Sequence, residues 1–280
     1  MFNKKRLIAL LTGTLLVGSL VSGCGSAGAN STSGSRSSKI TVSGSTSVGP
    51  TMEILAEDYQ KENDTTTIEV QQVGSSAGIT NTIDGTSQIG MSSRDLKDEE
   101  KSELKEYQIA IDGIAVITNS ANKVKDLTLD QVKDIYTGKI TNWKEVGGND
   151  ADIVVVSRED GSGTRDGFQE IVGFESGDLT SNAQISDGSG NIKTTVQGNE
   201  NAIGYISFGY LDDSINSVKI GGVEPKEENV YNDKYPISRP FLLVTKGEAS
   251  GDAKSFIDYV LSDEGQKTIE KEGFMSVNQK

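Results

Sequence analysis

Apolar positions follow two alternating periods along the chain from about residue 40 onward. Short runs rich in β-branched residues predict buried strands at 40–42, 68–73, 153–156 and 203–207. Between and after them, apolar residues recur at helical spacing, first on Met52, Leu55, Ala56 and Tyr59 and last on Phe256, Ile257, Val260 and Leu261. Alternating strands and helices predict an α/β fold with mixed, mostly parallel sheets and helices on both faces.

Several other segments carry local signals. The charged residues 98–107 have few apolar anchors and predict a helix on the surface. The apolar run 114–118 predicts a buried segment that crosses between domains. Thr128 with Gln131 three positions later forms a capping-box pattern, which predicts that a helix begins there. We interpret Trp143 as a packed residue rather than a ligand-binding one.

Glycine- and hydroxyl-rich turns follow several predicted strands, at the point where a helix should begin. They lie at 44–50, 74–78, 92–95 and 157–166, and the segment 187–191 could be another, although we interpret it as loop structure. Ligands of parallel sheets bind where such turns meet, and the free N–H groups of helix N-termini attract anions. Hydroxyl donors would come from Ser45, Thr46, Ser47 and Ser75. For any one turn alone, a capping loop is the alternative.

The fourth of these turns offers the fullest set of donors. Arg158 can present a planar, bidentate cation to an oxyanion, and Asp160 could fix that guanidinium. Ser162 and Thr164 add hydroxyl groups, and Gly163 lets the backbone approach a ligand closely. An ordinary strand–turn–helix with a serine N-cap is the alternative.

Composition narrows the classes of function. The 280 residues include no histidine and one cysteine, so the chain offers no imidazole base, no evident zinc site and no disulfide framework. The formal net charge of −14 argues against nucleic-acid binding, because phosphate backbones require basic surfaces. A small anion is still compatible, because a buried array of donors can outweigh a distant, screened surface charge. We expect no catalytic residue, no metal and no cofactor.

The first residues predict an address outside the cytoplasm. A basic start at 4–6 and an apolar run at 7–21 are typical of a signal peptide. The Val-Ser-Gly before the single Cys24 resembles the lipobox of bacterial lipoproteins, which implies removal of residues 1–23 and lipidation of Cys24. Residues 24–38, rich in Ser and Gly, predict a flexible tether. An ordinary signal peptide or a short membrane anchor is the alternative.

With these turns laid out, the chain resembles the phosphate-binding lipoproteins of phosphate-specific ABC transporters. The resemblance runs from about residue 40 to the C-terminus and is carried by segments 44–50, 73–78, 89–95, 110–117, 135–143, 157–164 and 202–205. The Arg-x-Asp-Gly-Ser-Gly-Thr and Tyr-x-Gly-Lys-Ile-x-x-Trp elements are specific in combination, whereas the serine-rich turns alone are weak signals.

The resemblance implies a two-lobed, type II periplasmic-binding-protein fold whose lobes close on phosphate. The crossings near residues 118 and 237 would divide the chain into lobe one, 39–117 with 238–280, and lobe two, 118–237. Carried over by position, the phosphate-binding residues would be Ser45, Thr46, Ser47, Ser75, Ser93, Arg158, Ser162, Gly163 and Thr164. Asp160 corresponds to the acidic residue that holds the arginine in this family.

One position departs from the family pattern. In the best-known members a cleft aspartate accepts a hydrogen bond from protonated phosphate, which excludes sulfate, and the aligned residue here is Ser93. A serine can accept that bond but carries no charge to repel a fully ionised anion. Asp95 and Asp112 are candidates for the missing acceptor, and Arg94 for a second cation. The alternatives are a helix cap for Asp95, a strand-end turn for Asp112 and a surface ion pair for Arg94.

The implied function is capture of inorganic phosphate without covalent change, followed by delivery to the permease and ATPase subunits of an ABC transporter. We expect a monomer on the outer face of the cytoplasmic membrane, attached through its N-terminal lipid only, with no nucleic-acid partner. The alternatives are a receptor for sulfate, molybdate or another oxyanion, a serine hydrolase or phosphatase with Ser162 as nucleophile, and an adhesin or signalling lipoprotein. The missing histidine and metal-ligand clusters weigh against the enzyme.

Overall fold

Strands and helices alternate through residues 38–279, the part of the chain that the computed structural model describes. The strands are β1 (Ser38–Gly44), β2 (Thr66–Gln72), β3 (Ile89–Ser92), β4 (Leu104–Asn119), β5 (Asp126–Leu127), β6 (Val154–Arg158), β7 (Gln184–Ser186), β8 (Ala202–Ser207), β9 (Ile215–Ser217), β10 (Lys219–Ile220), β11 (Ser238–Lys246) and β12 (Met275–Ser276). The α-helices are α1 (Gly49–Glu62), α2 (Ser75–Ile83), α3 (Asp98–Lys101), α4 (Leu129–Tyr136), α5 (Gly163–Val172), α6 (Gly188–Gln197), α7 (Glu227–Tyr231), α8 (Gly251–Leu261) and α9 (Asp263–Lys271). The predicted signal peptide, the lipidation site Cys24 and nearly all of the predicted tether lie outside the described residues.

The main sheet is mixed, in the order β2-β1-β3-β11-β4-β8-β6-β7, with β9 and β12 also paired to β4. Parallel pairing occurs in two places, where β1 lies between β2 and β3 and where β6 lies between β7 and β8. The antiparallel pairs all involve β4 or β11, which run through the middle of the sheet. The predicted α/β class with mixed sheets is confirmed.

The long strand β4 corrects one expectation. The predicted surface helix at 98–107 is wrong beyond its first turn, because α3 ends at Lys101 and β4 begins at Leu104. Residues 104–108 pair with β11, from Leu104 opposite Lys246 to Gln108 opposite Leu242. Backbone pairing with a strand from the distant C-terminal region therefore outweighs the helix propensity of this charged segment.

Two hydrophobic cores lie along β4. The first core joins β1, β3 and α1 to β11, α8 and α9, through residues such as Val42, Leu55, Ile89, Phe241 and Phe256. The second core joins the far half of β4 to α4, α5, α6 and β8, through residues such as Val116, Tyr136, Phe168, Ile192 and Ile203. The predicted limits of the two lobes stay a prediction.

Several local predictions hold in detail. Thr128 caps α4, because its Oγ1 accepts from the Gln131 N–H at 3.1 Å while Gln131 Oε1 accepts from the Thr128 N–H at 2.9 Å. Trp143 is buried in the second core, and its Nε1 donates to the carbonyl of Asn201 at 2.9 Å. Among the described residues, we find no helix that combines the length and the apolar character needed to cross a bilayer.

Candidate functional site

Five polar turns meet between two groups of parallel strands that run in opposite directions. They follow β1, β2, β3, β6 and β7, and all but the third lead directly into a helix of eight or more residues. The described residues, and with them all five turns, belong to one compact unit. The carboxyl ends of β1, β2 and β3 gather the first three turns, and those of β6 and β7 gather the last two. Hydrogen bonds between the groups, such as Arg158 Nη2 to Thr46 Oγ1 at 3.0 Å, bring the two sets together.

The first turn approaches β3 closely at Gly44. A Cβ built on Gly44 would lie 2.1 Å from the carbonyl oxygen of Met91, and its φ of +146° also disfavours other residues. This contact seats the buried Ser45 beside the end of β3, where its hydroxyl donates to Ser93 Oγ at 2.9 Å. The Ser45 oxygen also accepts from the N–H of Ser47 at 3.1 Å. The first and third turns are therefore joined through their hydroxyl groups.

The second turn contributes Ser75 to the same group of hydroxyls. Ser75 is fully buried, its Oγ accepts from the Ser93 N–H at 3.2 Å, and it lies 3.3 Å from Ser93 Oγ. The first residue of α5 comes close to both serines, since a Cβ on Gly163 would lie 2.3 Å from Ser75 Oγ and 2.8 Å from Ser93 Oγ. Only glycine allows the N-terminus of α5 to approach this far.

Two predicted residues on α5 have different surroundings. Thr164 is buried, and its Oγ1 lies 2.9 Å from Ser47 Oγ, so the first and fourth turns also share a hydroxyl contact. Ser162 is the N-cap of α5, and its Oγ accepts from the Arg165 N–H at 3.3 Å. The capping role that the sequence left open for Ser162 is therefore present, beside the predicted binding residues.

Arg158, at the end of β6, connects these turns. Its side chain is buried, Nη2 donates to Thr46 Oγ1 at 3.0 Å, and Nη1 donates to Ser189 Oγ at 3.2 Å. Nε and Nη2 hold the carboxylate of Glu159 at 2.7 and 2.6 Å. Burial favours protonation of Glu159, but Arg158 more than offsets it, so the pKa of this carboxyl lies below its ordinary value.

The prediction that Asp160 holds Arg158 is wrong. Asp160 is 92% exposed and forms an ion pair of 2.6 Å with Arg165 instead. The neighbouring Glu159 points inward, where its carboxylate also accepts from the N–H of Gly188 at 3.3 Å. In the turn after β6, Glu159 thus points towards Arg158 and Asp160 points towards solvent.

A fifth turn supplies a residue that the sequence analysis missed. Segment 187–191, interpreted as loop structure, instead begins α6, with Asp187 as N-cap and Ser189 in its first turn. Ser189 is buried, and besides its contact with Arg158 its Oγ lies 3.2 Å from Ser47 Oγ. The Gly-Ser-Gly pattern at 188–190 was the available signal.

A second buried arginine was also missed. Arg239 on β11 donates from Nη2 to Ser47 Oγ at 3.2 Å and from Nη1 to the carbonyl of Ser93 at 3.0 Å. Its Nε and Nη2 bind one oxygen of Asp112 at 3.0 and 2.8 Å. Burial raises the pKa of the Asp112 carboxyl and lowers that of the Arg239 guanidinium, and the attraction between the two charges opposes both shifts.

Of the three candidates around Ser93, two make other contacts and one is exposed to solvent. Asp112 is fully buried, and its second oxygen accepts from Ser207 Oγ at 2.9 Å, so it is neither a free acceptor nor a simple strand-end turn. Asp95 is exposed. Arg94 is buried and binds Glu100 at 2.8 Å and Asp166 at 3.0 Å, so it is a buried ion pair rather than a surface one.

The chemistry of the assembled site is that of a donor array. We call the hydroxyls of Ser45, Thr46, Ser47, Ser75, Ser93, Thr164 and Ser189 the hydroxyl cluster. Two guanidinium groups border this cluster, at Arg158 and Arg239, and each is bonded to its own carboxylate. Tyr210 donates to the carbonyl of Thr46 at 2.9 Å, which fixes the first turn further. Such an array suits an oxyanion.

Comparisons with known proteins point the same way. A model of the PBP superfamily domain matches residues 29–264. The phosphate-binding protein PstS of Bacillus subtilis is 37% identical over 279 residues, which cover 95% of this chain and 91% of that protein. A phosphate ABC transporter substrate-binding protein of Clostridium perfringens, solved with bound phosphate, is 64% identical with a TM-score of 0.84 and covers 85% of this chain and 99% of its own.

A further solved structure, an ABC-type phosphate transport receptor from Vibrio cholerae, is 39% identical with a TM-score of 0.74 over 85% of this chain and 100% of its own. The predicted family resemblance and periplasmic-binding-protein fold are confirmed by these matches. The chain therefore belongs to the substrate-binding proteins of phosphate ABC transporters, within the PBP superfamily.

Proposed function

We propose that this protein binds inorganic phosphate at the hydroxyl cluster and delivers it to the membrane subunits of an ABC importer. The observation that carries the proposal is the meeting of hydroxyls from five turns beside the buried Arg158, whose guanidinium donates to hydroxyls of two different turns. The relatives from Bacillus subtilis and Clostridium perfringens support phosphate as the ligand, since the first is named a phosphate-binding protein and the second holds bound phosphate.

Hydrogen-bond direction favours an anion at this position. Thr46 Oγ1 and Ser189 Oγ each accept an N–H from Arg158, and Ser47 Oγ accepts one from Arg239. A hydroxyl that already accepts from a guanidinium can donate its own hydrogen to a ligand. The cluster therefore offers donors to whatever it binds, and phosphate oxygens are acceptors.

The nearby carboxylates do not oppose this role. Glu159 and Asp112 are each bonded to an arginine through two N–H groups, so their charges are compensated locally. The formal net charge of −14 is spread over the protein surface, and dissolved salt screens that charge from the site.

The energy available is sufficient for tight binding. Hydrogen bonds that involve a charged group contribute roughly 1.5–3 kcal/mol each, whereas micromolar affinity requires about 8 kcal/mol. About eight such bonds exceed that requirement and leave free energy for desolvating the anion and ordering the turns.

The proposal includes the setting of the site. Residues 1–23 would be removed, Cys24 would carry the lipid, and the monomeric protein would act at the outer face of the cytoplasmic membrane. Lobe one (39–117 with 238–280) and lobe two (118–237) would close on phosphate, and the ligand would leave unchanged for the permease. The two hydrophobic cores that share β4 support a division into two lobes, and residues 114–117 pack in the second core.

Isothermal titration calorimetry of the purified protein with orthophosphate tests the proposal. We expect one-to-one binding with a dissociation constant of about 1 μM or lower, and weaker binding of sulfate and molybdate. Stronger binding of sulfate than of phosphate would transfer the assignment to another oxyanion. Release of chromophore from a phosphate ester would favour the enzyme instead, and no heat with any oxyanion would refute an anion-binding role.

A further inference from the structure

Two buried arginines reach the hydroxyl cluster, although the sequence motifs single out one. Arg239 is the second residue of β11, and its side chain is 1% exposed. Its Nη2 contacts Ser47 Oγ, and Ser47 in turn lies within 3.2 Å of both Thr164 and Ser189 hydroxyls. Arg239 is therefore one hydroxyl away from Ser189, to which Arg158 donates.

The two arginines make the same pattern of bonds. Arg158 holds a carboxylate through Nε and Nη2 and directs Nη1 and Nη2 to Ser189 and Thr46. Arg239 holds the carboxylate of Asp112 through Nε and Nη2 and directs Nη1 and Nη2 to Ser93 and Ser47. A repeated arrangement on two sides of one cluster indicates a shared role.

Cross-strand register places Arg239 at the site. Arg239 lies directly opposite Asp112 where β11 pairs with β4, so the carboxylate holds the guanidinium from the neighbouring strand. Ser207 Oγ and the N–H of Phe208 fix the other oxygen of Asp112 at 2.9 and 3.2 Å. The acidic partner is thus immobilised on two sides, which orients the arginine towards the cluster.

We propose that Arg239, held by Asp112, is a second anion-recognition residue of this site. The four hydrogen bonds of Arg239 within the described residues use four of the five N–H groups of a guanidinium, which leaves one hydrogen on Nη1 for a ligand. Because Ser47 Oγ accepts from Arg239, its own hydrogen can be donated to a ligand or to the neighbouring Thr164 or Ser189 hydroxyl. This inference rests on the proposed phosphate-binding function.

Stability alone does not account for the pair. A buried ion pair is often no more stable than apolar residues of similar volume, because the loss of hydration offsets the attraction between the charges. Removing one partner is different, since it leaves an uncompensated charge in the interior. A test must therefore remove both charges together.

The double substitution Arg239→Met with Asp112→Asn removes both charges at similar volume. We expect the variant to keep its circular-dichroism spectrum and a cooperative melt, and to bind orthophosphate at least tenfold more weakly by calorimetry. Lys144→Met with Asp150→Asn removes an exposed ion pair of 3.0 Å and serves as the control with the same change of charge. The control should bind like the parent.

The single substitution Arg239→Lys gives an independent measurement if the double variant does not fold. Lysine keeps the positive charge beside Asp112 but cannot reach Ser47 and Ser93 with the same fork of donors. We expect at least fivefold weaker phosphate binding with a melting temperature close to that of the parent. Binding within twofold of the parent, in either folded variant, would overturn the proposal. Failure of the parent itself to bind phosphate would instead refute the proposed function.

Discussion

Substitution of Gly163 by alanine tests the closeness of the turns most directly. A methyl group at this position would lie 2.3 Å from Ser75 Oγ and 2.8 Å from Ser93 Oγ, whereas ordinary contacts of a Cβ begin at 3.4 Å. The N-terminus of α5 would therefore have to retreat by about 1 Å from the second and third turns. The contact of 2.9 Å between Thr164 and Ser47 would lengthen with it.

The expected loss of affinity follows from the bonds that this retreat breaks. If two hydrogen bonds to the charged ligand are lost, at roughly 1.5–3 kcal/mol each, the loss is about 3–6 kcal/mol, or roughly 10²- to 10⁴-fold in the dissociation constant. The ligand-free fold should change little, because alanine has a higher helix propensity than glycine and the turns can separate. Calorimetry with orthophosphate and a thermal melt without ligand measure the two effects.

Gly167→Ala is the matched control, one turn further along α5. A Cβ there would meet Arg239 Cδ at 3.5 Å and otherwise only atoms 3.8 Å away, which is ordinary packing. We expect Gly167→Ala to bind phosphate like the parent. If Gly163→Ala also bound phosphate within threefold of the parent, the close approach of α5 to Ser75 and Ser93 would not be part of the binding state.

Four further predictions concern the charged groups and the central hydroxyl. Arg158→Ala should weaken phosphate binding at least thirtyfold by calorimetry, because it removes a buried charged donor, about 2–5 kcal/mol. Glu159→Gln should weaken binding several-fold while Asp160→Asn has no measurable effect, since only Glu159 contacts Arg158; equal effects would contradict that assignment. Ser47→Ala should weaken binding at least fivefold, and unchanged titration curves would exclude its hydroxyl from the site. The lowered pKa of Glu159 means that its ion pair stabilises the fold fully above about pH 4.3, the ordinary pKa of a glutamate. This stabilisation is lost as the pH falls through the lowered pKa. The melting temperature of Glu159→Gln should therefore depend less on pH, between about pH 5 and 3, than that of the parent.

The strand–turn–helix junctions could be predicted from the sequence because they depend on local signals. β-branched runs ended in glycine and serine, and helical spacing followed, so the turns at Ser45, Ser75 and Ser162 were placed correctly. Parallel pairing then brings together the turns within each group of strands, β1 to β3 and β6 with β7. Segment 98–107 fails the same procedure, because its partner strand lies more than a hundred residues further along the chain.

The missed residues depend on details that no local pattern encodes. Glu159 and Asp160 are adjacent and chemically alike, and only the path of the turn, with Gly161 at a φ of +81°, decides which one faces Arg158. Arg239 sits inside a strand without a motif of its own. Its role becomes visible only when the register of β11 against β4 places it opposite Asp112.

The composition of the first core has a consequence for biosynthesis. β11 lies between β3 and β4, and α8 and α9 complete the same core, so residues 40–110 pack against residues 241–274. A growing polypeptide therefore cannot finish this core until almost the whole chain has been made. During most of synthesis, the apolar side chains of residues 40–110 therefore lack the partners that β11, α8 and α9 supply.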